Sequence, residues 1–164
     1  MAASSWNPNQ PKLRQDSGGS VPEIRIFKEE ASQTFKAGTP VKLDGGEVEI
    51  ATDGTVGFLG LAMEDASGTA DAAIKVMVCR PDTVIIARVT DDGTDALPTT
   101  LVQGQAYGWY IDSDSVFYVD ANDAAVHIVY YNAPVYDVLG DSTYWGEFRL
   151  VPAQAGSLDG DDNA

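Results

Sequence analysis

Cysteine is almost missing from this chain of 164 residues: Cys79 stands alone. One thiol excludes an internal disulfide framework and any zinc site built from cysteines. It fits a product of a reducing cytoplasm, or one with no need of disulfides. Histidine is as scarce. His127 sits between Val126 and Ile128 in an apolar segment, where it reads as a packing or contact residue rather than a general base. No apolar run approaches the roughly 20 residues of a membrane-spanning helix. The first residues carry no apolar core of a secretory signal, so no membrane partner is expected. Amphipathic helix spacing is missing as well, which leaves an all-β chain.

Positive charge is the last shortage. Ten Lys and Arg face 25 Asp and Glu, for a net charge of −15. The imbalance is uneven: residues 1–42 carry +2 and residues 43–164 carry −17. Nucleic-acid binding rests on Lys and Arg at phosphates, so DNA and RNA are not expected partners. Acidity of this kind serves solubility, or selects protein partners by charge.

What the chain does have is short apolar segments punctuated by Asp and Gly. Asp44-Gly45-Gly46-Glu47 separates Val41–Leu43 from Val48–Ala51, and Asp53-Gly54 separates the latter from Val56–Met63. Asp-Gly and Gly-Gly pairs supply the positive φ of tight hairpins, so these segments predict a three-stranded antiparallel meander. A polar loop follows at Asp65–Ala72. Ile74–Cys79 and Thr83–Val89 predict a second hairpin turning at Arg80-Pro81-Asp82, since Pro presets a turn and cannot donate to a ladder. In Val56–Met63 both faces are apolar or small, as in a strand covered on both sides by core or by a subunit contact. Gly57 and Gly60 there allow close backbone approach.

Thr90–Thr100 reads as a long acidic loop. Strands are predicted at Tyr107–Asp112 (Tyr107, Trp109 and Ile111 on one face), Val116–Val119, Ala125–Tyr131 and Tyr144–Val151, with Asn132–Pro134 ending the third. The fold expected is a small antiparallel β-barrel or β-sandwich, tulip-like, over residues 23–152. Residues 153–164 form an acidic, disordered tail. Residues 1–22, with Pro8, Pro11, Pro22 and Ser17-Gly18-Gly19-Ser20, form a flexible arm too polar to fold alone. Trp6 and Leu13 stand out in that arm as docking anchors. Glu23–Lys28 alternates with Ile24 and Ile26 on one face, a strand suited to a sheet edge that gives or takes a neighbouring strand. One internal echo is present: Phe35-Lys36-Ala37-Gly38 before one strand resembles Leu101-Val102-Gln103-Gly104 before another.

Catalytic motifs are not apparent. Gly57-Phe58-Leu59-Gly60 lacks the Lys-Ser/Thr and helix of a phosphate loop. The turn carboxylates Asp91, Asp92, Asp95, Asp112, Asp114, Asp120 and Asp123 match no calcium loop, and Asp is favoured in turns anyway. No metal, cofactor or enzymatic role is assigned.

Three pieces carry a family resemblance: Ala37-Gly38-Thr39-Pro40-Val41-Lys42-Leu43, then Ala51–Ala62, then Ile74–Cys79 with Arg80–Val84. Together they resemble the small capsid decoration (cement) proteins of tailed bacteriophages, the lambda head decoration family. Gly104 with Tyr107–Asp112 resembles a strand of related cement domains. The resemblance implies a homotrimer on the outside of the expanded capsid, at three-fold and quasi-three-fold positions. It implies a virion protein made in the host cytoplasm, bound to the major capsid protein and holding the shell against DNA pressure. It also implies capsid contact through the arm and first strand (Trp6, Lys12, Leu13, Arg14, Ile24, Arg25, Ile26), with Val56, Phe58, Leu59 and Leu61 as the trimer or core strand. The alternative is a head-fibre or adhesin module binding glycan through an aromatic surface of Tyr107, Trp109, Tyr130, Tyr131, Tyr136, Tyr144 and Trp145.

Overall fold

A computed structural model describes residues 10–15, 23–51, 58–80, 83–113, 116–122, 129–135 and 144–150. The fold is all-β. Its strands are β1 (Lys12–Gln15), β2 (Glu23–Glu29), β3 (Pro40–Asp44), β4 (Glu47–Ile50), β5 (Phe58–Ala62), β6 (Ala73–Val78), β7 (Val84–Asp91), β8 (Thr94–Asp95), β9 (Ala106–Ile111), β10 (Phe117–Asp120), β11 (Val129–Val135) and β12 (Trp145–Leu150).

Strands β2–β4–β3–β5–β6 close into a barrel. Gly45 and Gly46, at φ 57° and 90°, form the turn between β3 and β4 that their sequence predicts. Closure comes from a parallel contact, with Lys28 opposite Glu47 and Glu29 opposite Val48; the barrel is mixed rather than antiparallel. Val41, Leu43, Val48, Leu59, Ala62, Ile74, Val76 and Val78 fill it, with Phe35. β5 is buried throughout. A bulge against β3 turns Leu59 and Ala62 into the barrel core, while Phe58 and Leu61 join a second core. Gly60 is required there, because a Cβ would strike the Met77 carbonyl.

The second sheet runs β7–β10–β9–β11–β12, and β12 pairs back to β7. Its core holds Ile85, Ala87, Val89, Tyr107, Trp109, Phe117, Val119, Val129, Tyr131 and Phe148, with Ala51, Phe58, Leu61 and Cys79 of the first barrel. The Phe58 and Trp109 ring centroids lie 6.2 Å apart.

Several local expectations give way to long-range pairing. β5 pairs with β3, not β4, so the first three strands are not a meander. β6 and β7 are not a hairpin: β2 and β5 occupy both edges of β6, and β7 enters the other sheet. The expected loop at Thr90–Thr100 contains a hairpin, where Asp92 (φ 47°) and Gly93 (φ 88°) join β7 to β8. Asn132–Pro134 stays within β11, the Pro tolerated beside an irregularity in the ladder between Tyr131 and Ala133.

The two sheets share one topology. β2, β3, β4, β5 and β6 correspond in order to β7, β9, β10, β11 and β12, and in each set only the first-to-third contact is parallel. Registers correspond too. Leu43 faces Val48 as Trp109 faces Val119; Val41 faces Gly60 as Tyr107 faces Val129. Gly60 faces Val78 as Val129 faces Leu150, and Val76 faces Arg25 as Phe148 faces Ile85. Going once round the ring therefore places Arg25 on Ile85 and Glu29 on Val89, the same displacement along the chain.

The turns agree. Gly38 and Gly104 both have positive φ (91° and 80°). Each donates its amide at 2.8 Å across its sheet, to Ala62 and Tyr131, which in turn donate at 3.0 Å to Thr39 and Gln105. Phe35 and Leu101, each three residues before its glycine, are both buried. The faint sequence echo is the trace of a structural repeat.

Candidate interaction surfaces

The leader divides at Gln10. This side chain is 2 % exposed. Its Nε2 donates to Thr39 Oγ1 at 3.3 Å, and its Oε1 accepts from the Phe117 amide at 3.2 Å. One residue thus links both sheets. β1 then pairs antiparallel with β7, Lys12 opposite Ile86 and Leu13 opposite Ile85. Lys12 lies over the Trp145 ring, its Nζ 4.2 Å from the centroid, and burial pushes its pKa below the ordinary lysine value. The expectation of one free arm over residues 1–22 therefore fails at Gln10–Gln15. Leu13 and Arg14 belong to this docked strand. Trp6 lies outside the described residues.

The remaining arm candidates lie on β2. Ile24 and Ile26 are 52 % and 68 % exposed. Arg25 meets Glu23 at 2.6 Å, and Arg80 meets the same carboxylate at 2.7 Å. Hydrogen bonds from Arg80 and then Arg25 hold Glu23 below the usual carboxylate range. At the far end Lys28 pairs with Asp71 at 2.6 Å, and its pKa is raised by that bond. Phe58, Leu59 and Leu61 are buried within the subunit, so their side chains cannot meet a neighbouring copy. Val56 lies outside the described residues.

The proposed aromatic surface is largely core. Tyr107, Trp109, Tyr131 and Trp145 are buried; Tyr136 and His127 fall outside the described residues. Tyr144 of that set, joined by Tyr110 and Tyr118, instead lines an open cleft of about 650 Å³ around Arg88, Asp95 and Asp112. Arg88 donates to Asp95 at 2.9 Å and sits 5.7 Å from the Tyr118 ring centroid. The Tyr118 hydroxyl donates to Asp112 at 3.2 Å. Burial, then the Asp112 charge, raises the Tyr118 pKa. Gly93 suits the adjoining turn by its φ of 88°, and a Cβ there would crowd the Tyr110 hydroxyl at 2.7 Å. Such a cleft offers aromatic faces for stacking and polar groups for hydrogen bonds.

Among the turn carboxylates, Asp112 and Asp120 are engaged by backbone amides, while Asp91 and Asp92 accept from the Asn122 side chain and Asp95 from Arg88. Asp120 accepts from the amides of Asp92 and Asn122, Asp112 from Val116, and Asp65 from Ala37. Among the described residues no three His, Cys, Asp or Glu side chains gather into a metal-binding group. Two residues escaped the sequence reading. Gln10 offered no signal among polar neighbours. Glu29, 1 % exposed, accepts from the Ser67 and Gly68 amides at 2.9 and 2.6 Å, tying the 65–72 loop to the barrel; an alternating strand conceals it.

No protein-family model matches the chain, and no curated protein matches it.

Proposed function

We propose that the chain is a non-enzymatic structural protein of a tailed-phage virion. In this reading it trimerises, binds the major capsid protein on the outside of the expanded head at three-fold and quasi-three-fold positions, and holds the shell against the pressure of packaged DNA. The observation that carries the reading is where the family-like segments fall. Ala37–Leu43 forms the turn and β3 of the first barrel, and Gly104 with Tyr107–Asp112 forms the turn and β9 at the corresponding place in the second sheet. The resemblance thus recurs at one position of a repeated unit. Attachment by such a protein is multivalent: modest contacts from each copy add up because later ones form at high effective concentration.

Purified protein should have the native mass of a trimer and co-sediment with expanded heads of the phage that encodes it, but not with unexpanded ones. Removing residues 1–9 is the informative truncation, since it takes away Trp6 and leaves docked β1 in place. Loss of attachment with the trimer intact supports capsid contact through the leader. A monomer that sediments with no head overturns the proposal.

A further inference from the structure

The repeat makes each half a template for the other, and at one place they differ. In the second sheet, β12 holds one edge of β7. The other edge is shared: β10 takes Val89 and Thr90, and β1 takes Val84, Ile85 and Ile86. In the first barrel, β6 holds one edge of β2 from Glu23 to Lys28. On the other edge, β4 reaches only Lys28 and Glu29. Among the described residues no strand takes the place of β1. The positions that β1 covers on β7 correspond to Ile24, Arg25 and Ile26.

Exposure records the difference. Val84 is 9 % exposed, whereas its counterpart Ile24 is 52 % exposed. Ile86 is half-buried, whereas Ile26 is 68 % exposed. Two isoleucines in the open beside a strand edge that no described strand covers are a liability for a free protein and an asset for one that receives a strand.

We propose that the edge of β2 over Glu23–Phe27 is a docking site for an extended segment of another protein chain, basic and apolar at alternate positions, that adds antiparallel to β2. The chemistry of the occupant follows from the occupied copy. β1 reads Lys-Leu-Arg-Gln, runs antiparallel to β7, and sets Leu13 opposite Ile85. The surroundings of the open edge ask for the same. Asp44 and Glu47 stand at the turn where β4 leaves β2, and residues 43–164 carry −17. Main-chain bonds to β2 would give affinity, and apolar side chains over Ile24 and Ile26 would set the register.

The test titrates isotope-labelled full-length protein with a synthetic peptide of residues 8–17, which contains the β1 sequence. Amide signals of Glu23–Phe27 should shift, and their hydrogen exchange should slow about tenfold or more, as in a paired strand. The double substitution Ile24→Lys, Ile26→Lys should weaken binding about tenfold or more, since charge on an edge blocks strand addition. Both side chains are exposed, so an unchanged thermal melt will verify that the variant folds. Three results overturn the proposal: no protection at Glu23–Phe27 at millimolar peptide; equal binding by the variant; or protection confined to Val84–Ile86, which would mean exchange with the leader. Head attachment is a separate matter. A protein that sediments with no head but shows this protection keeps the edge site and loses the capsid reading, and the opposite pair of results does the reverse.

Discussion

Replacing Gln10 by alanine tests the docked leader most directly. The wild-type side chain is buried and bonded to Thr39 in the first barrel and to the Phe117 amide in the second sheet. Alanine removes the Thr39 bond, worth about 1 kcal/mol net, and leaves the Phe117 N–H buried without that acceptor, at about 1–3 kcal/mol. The expected loss is about 2–4 kcal/mol, which for a domain of this size lowers Tm by roughly 10 °C. Thr39→Val removes the acceptor of the first bond and leaves Gln10 Oε1 in place for the Phe117 amide, so it separates the two terms. Urea unfolding gives the loss, and hydrogen exchange shows where it falls. In the wild type, Lys12–Gln15 and Phe117 should be protected; in Gln10→Ala that protection should fall before the core of the first barrel is affected. A stability change below about 0.5 kcal/mol, together with leader amides exchanging at unstructured rates in the wild type, would refute the reasoning and restore the mobile arm expected from composition.

Gly60→Ala should cost about 3 kcal/mol or more by the same unfolding assay, because its Cβ meets the Met77 carbonyl and lies 3.1 Å from the Val78 Cα, and backbone cannot yield as a side chain does; an unchanged urea midpoint would show that β5 and β6 lie further apart. Asp65→Asn should cost about 1 kcal/mol near neutrality, where the carboxylate accepts from the Ala37 amide at 3.0 Å and from Lys36 at 3.2 Å. Those bonds, the Ala37 amide first, hold the Asp65 pKa below its ordinary value against the opposing effect of burial. The stability it supplies is therefore present above the unfolded carboxylate pKa of about 3.9 and lost as pH falls through the lower folded value. The difference between wild type and Asp65→Asn should shrink to nothing in acid; a difference independent of pH would assign the effect to packing.

What the sequence made legible was whatever depends on neighbours in the chain. Asp44-Gly45-Gly46 announced its turn because the required φ values belong to Gly. The alternation of Tyr107, Trp109 and Ile111 announced a face because a strand has period two. Pairing partners were hidden, since Ile74–Val78 looks the same whether its neighbour is β7 or β2. Only the occupancy of both its edges by β2 and β5 decides. The repeat was hidden for a related reason. Corresponding positions keep an inward apolar side chain but not its size, as with Val41 and Tyr107, Leu43 and Trp109, or Gly60 and Val129. Packing asks for total volume, not residue identity. Gln10 was illegible because its role is fixed by an amide 107 residues away, and nothing local marks a polar residue between prolines as one that a distant backbone needs.

The repeated register also shows where the halves have parted. On the outer surface Lys28, Asp44 and Glu47 occupy the positions of Arg88, Tyr110 and Tyr118. The cation is kept while two carboxylates give way to two tyrosines, so an ionic surface on one half becomes an aromatic cleft on the other. Inside, Glu29 takes the position of Val89. A buried carboxylate is retained there because two backbone amides of the 65–72 loop need an acceptor; in the second half the corresponding position carries the methyl-bearing side chain of Val89, buried in the core. A third difference is the strand edge, closed by β1 in one half and, among the described residues, covered at the matching positions by no strand in the other. Charge, interior and edge therefore all distinguish the two units. Under the docking proposed above, the two halves are not interchangeable in an assembly: another chain would add to the β2 edge, where Ile24 and Ile26 are exposed, while β1 already occupies the matching positions on β7.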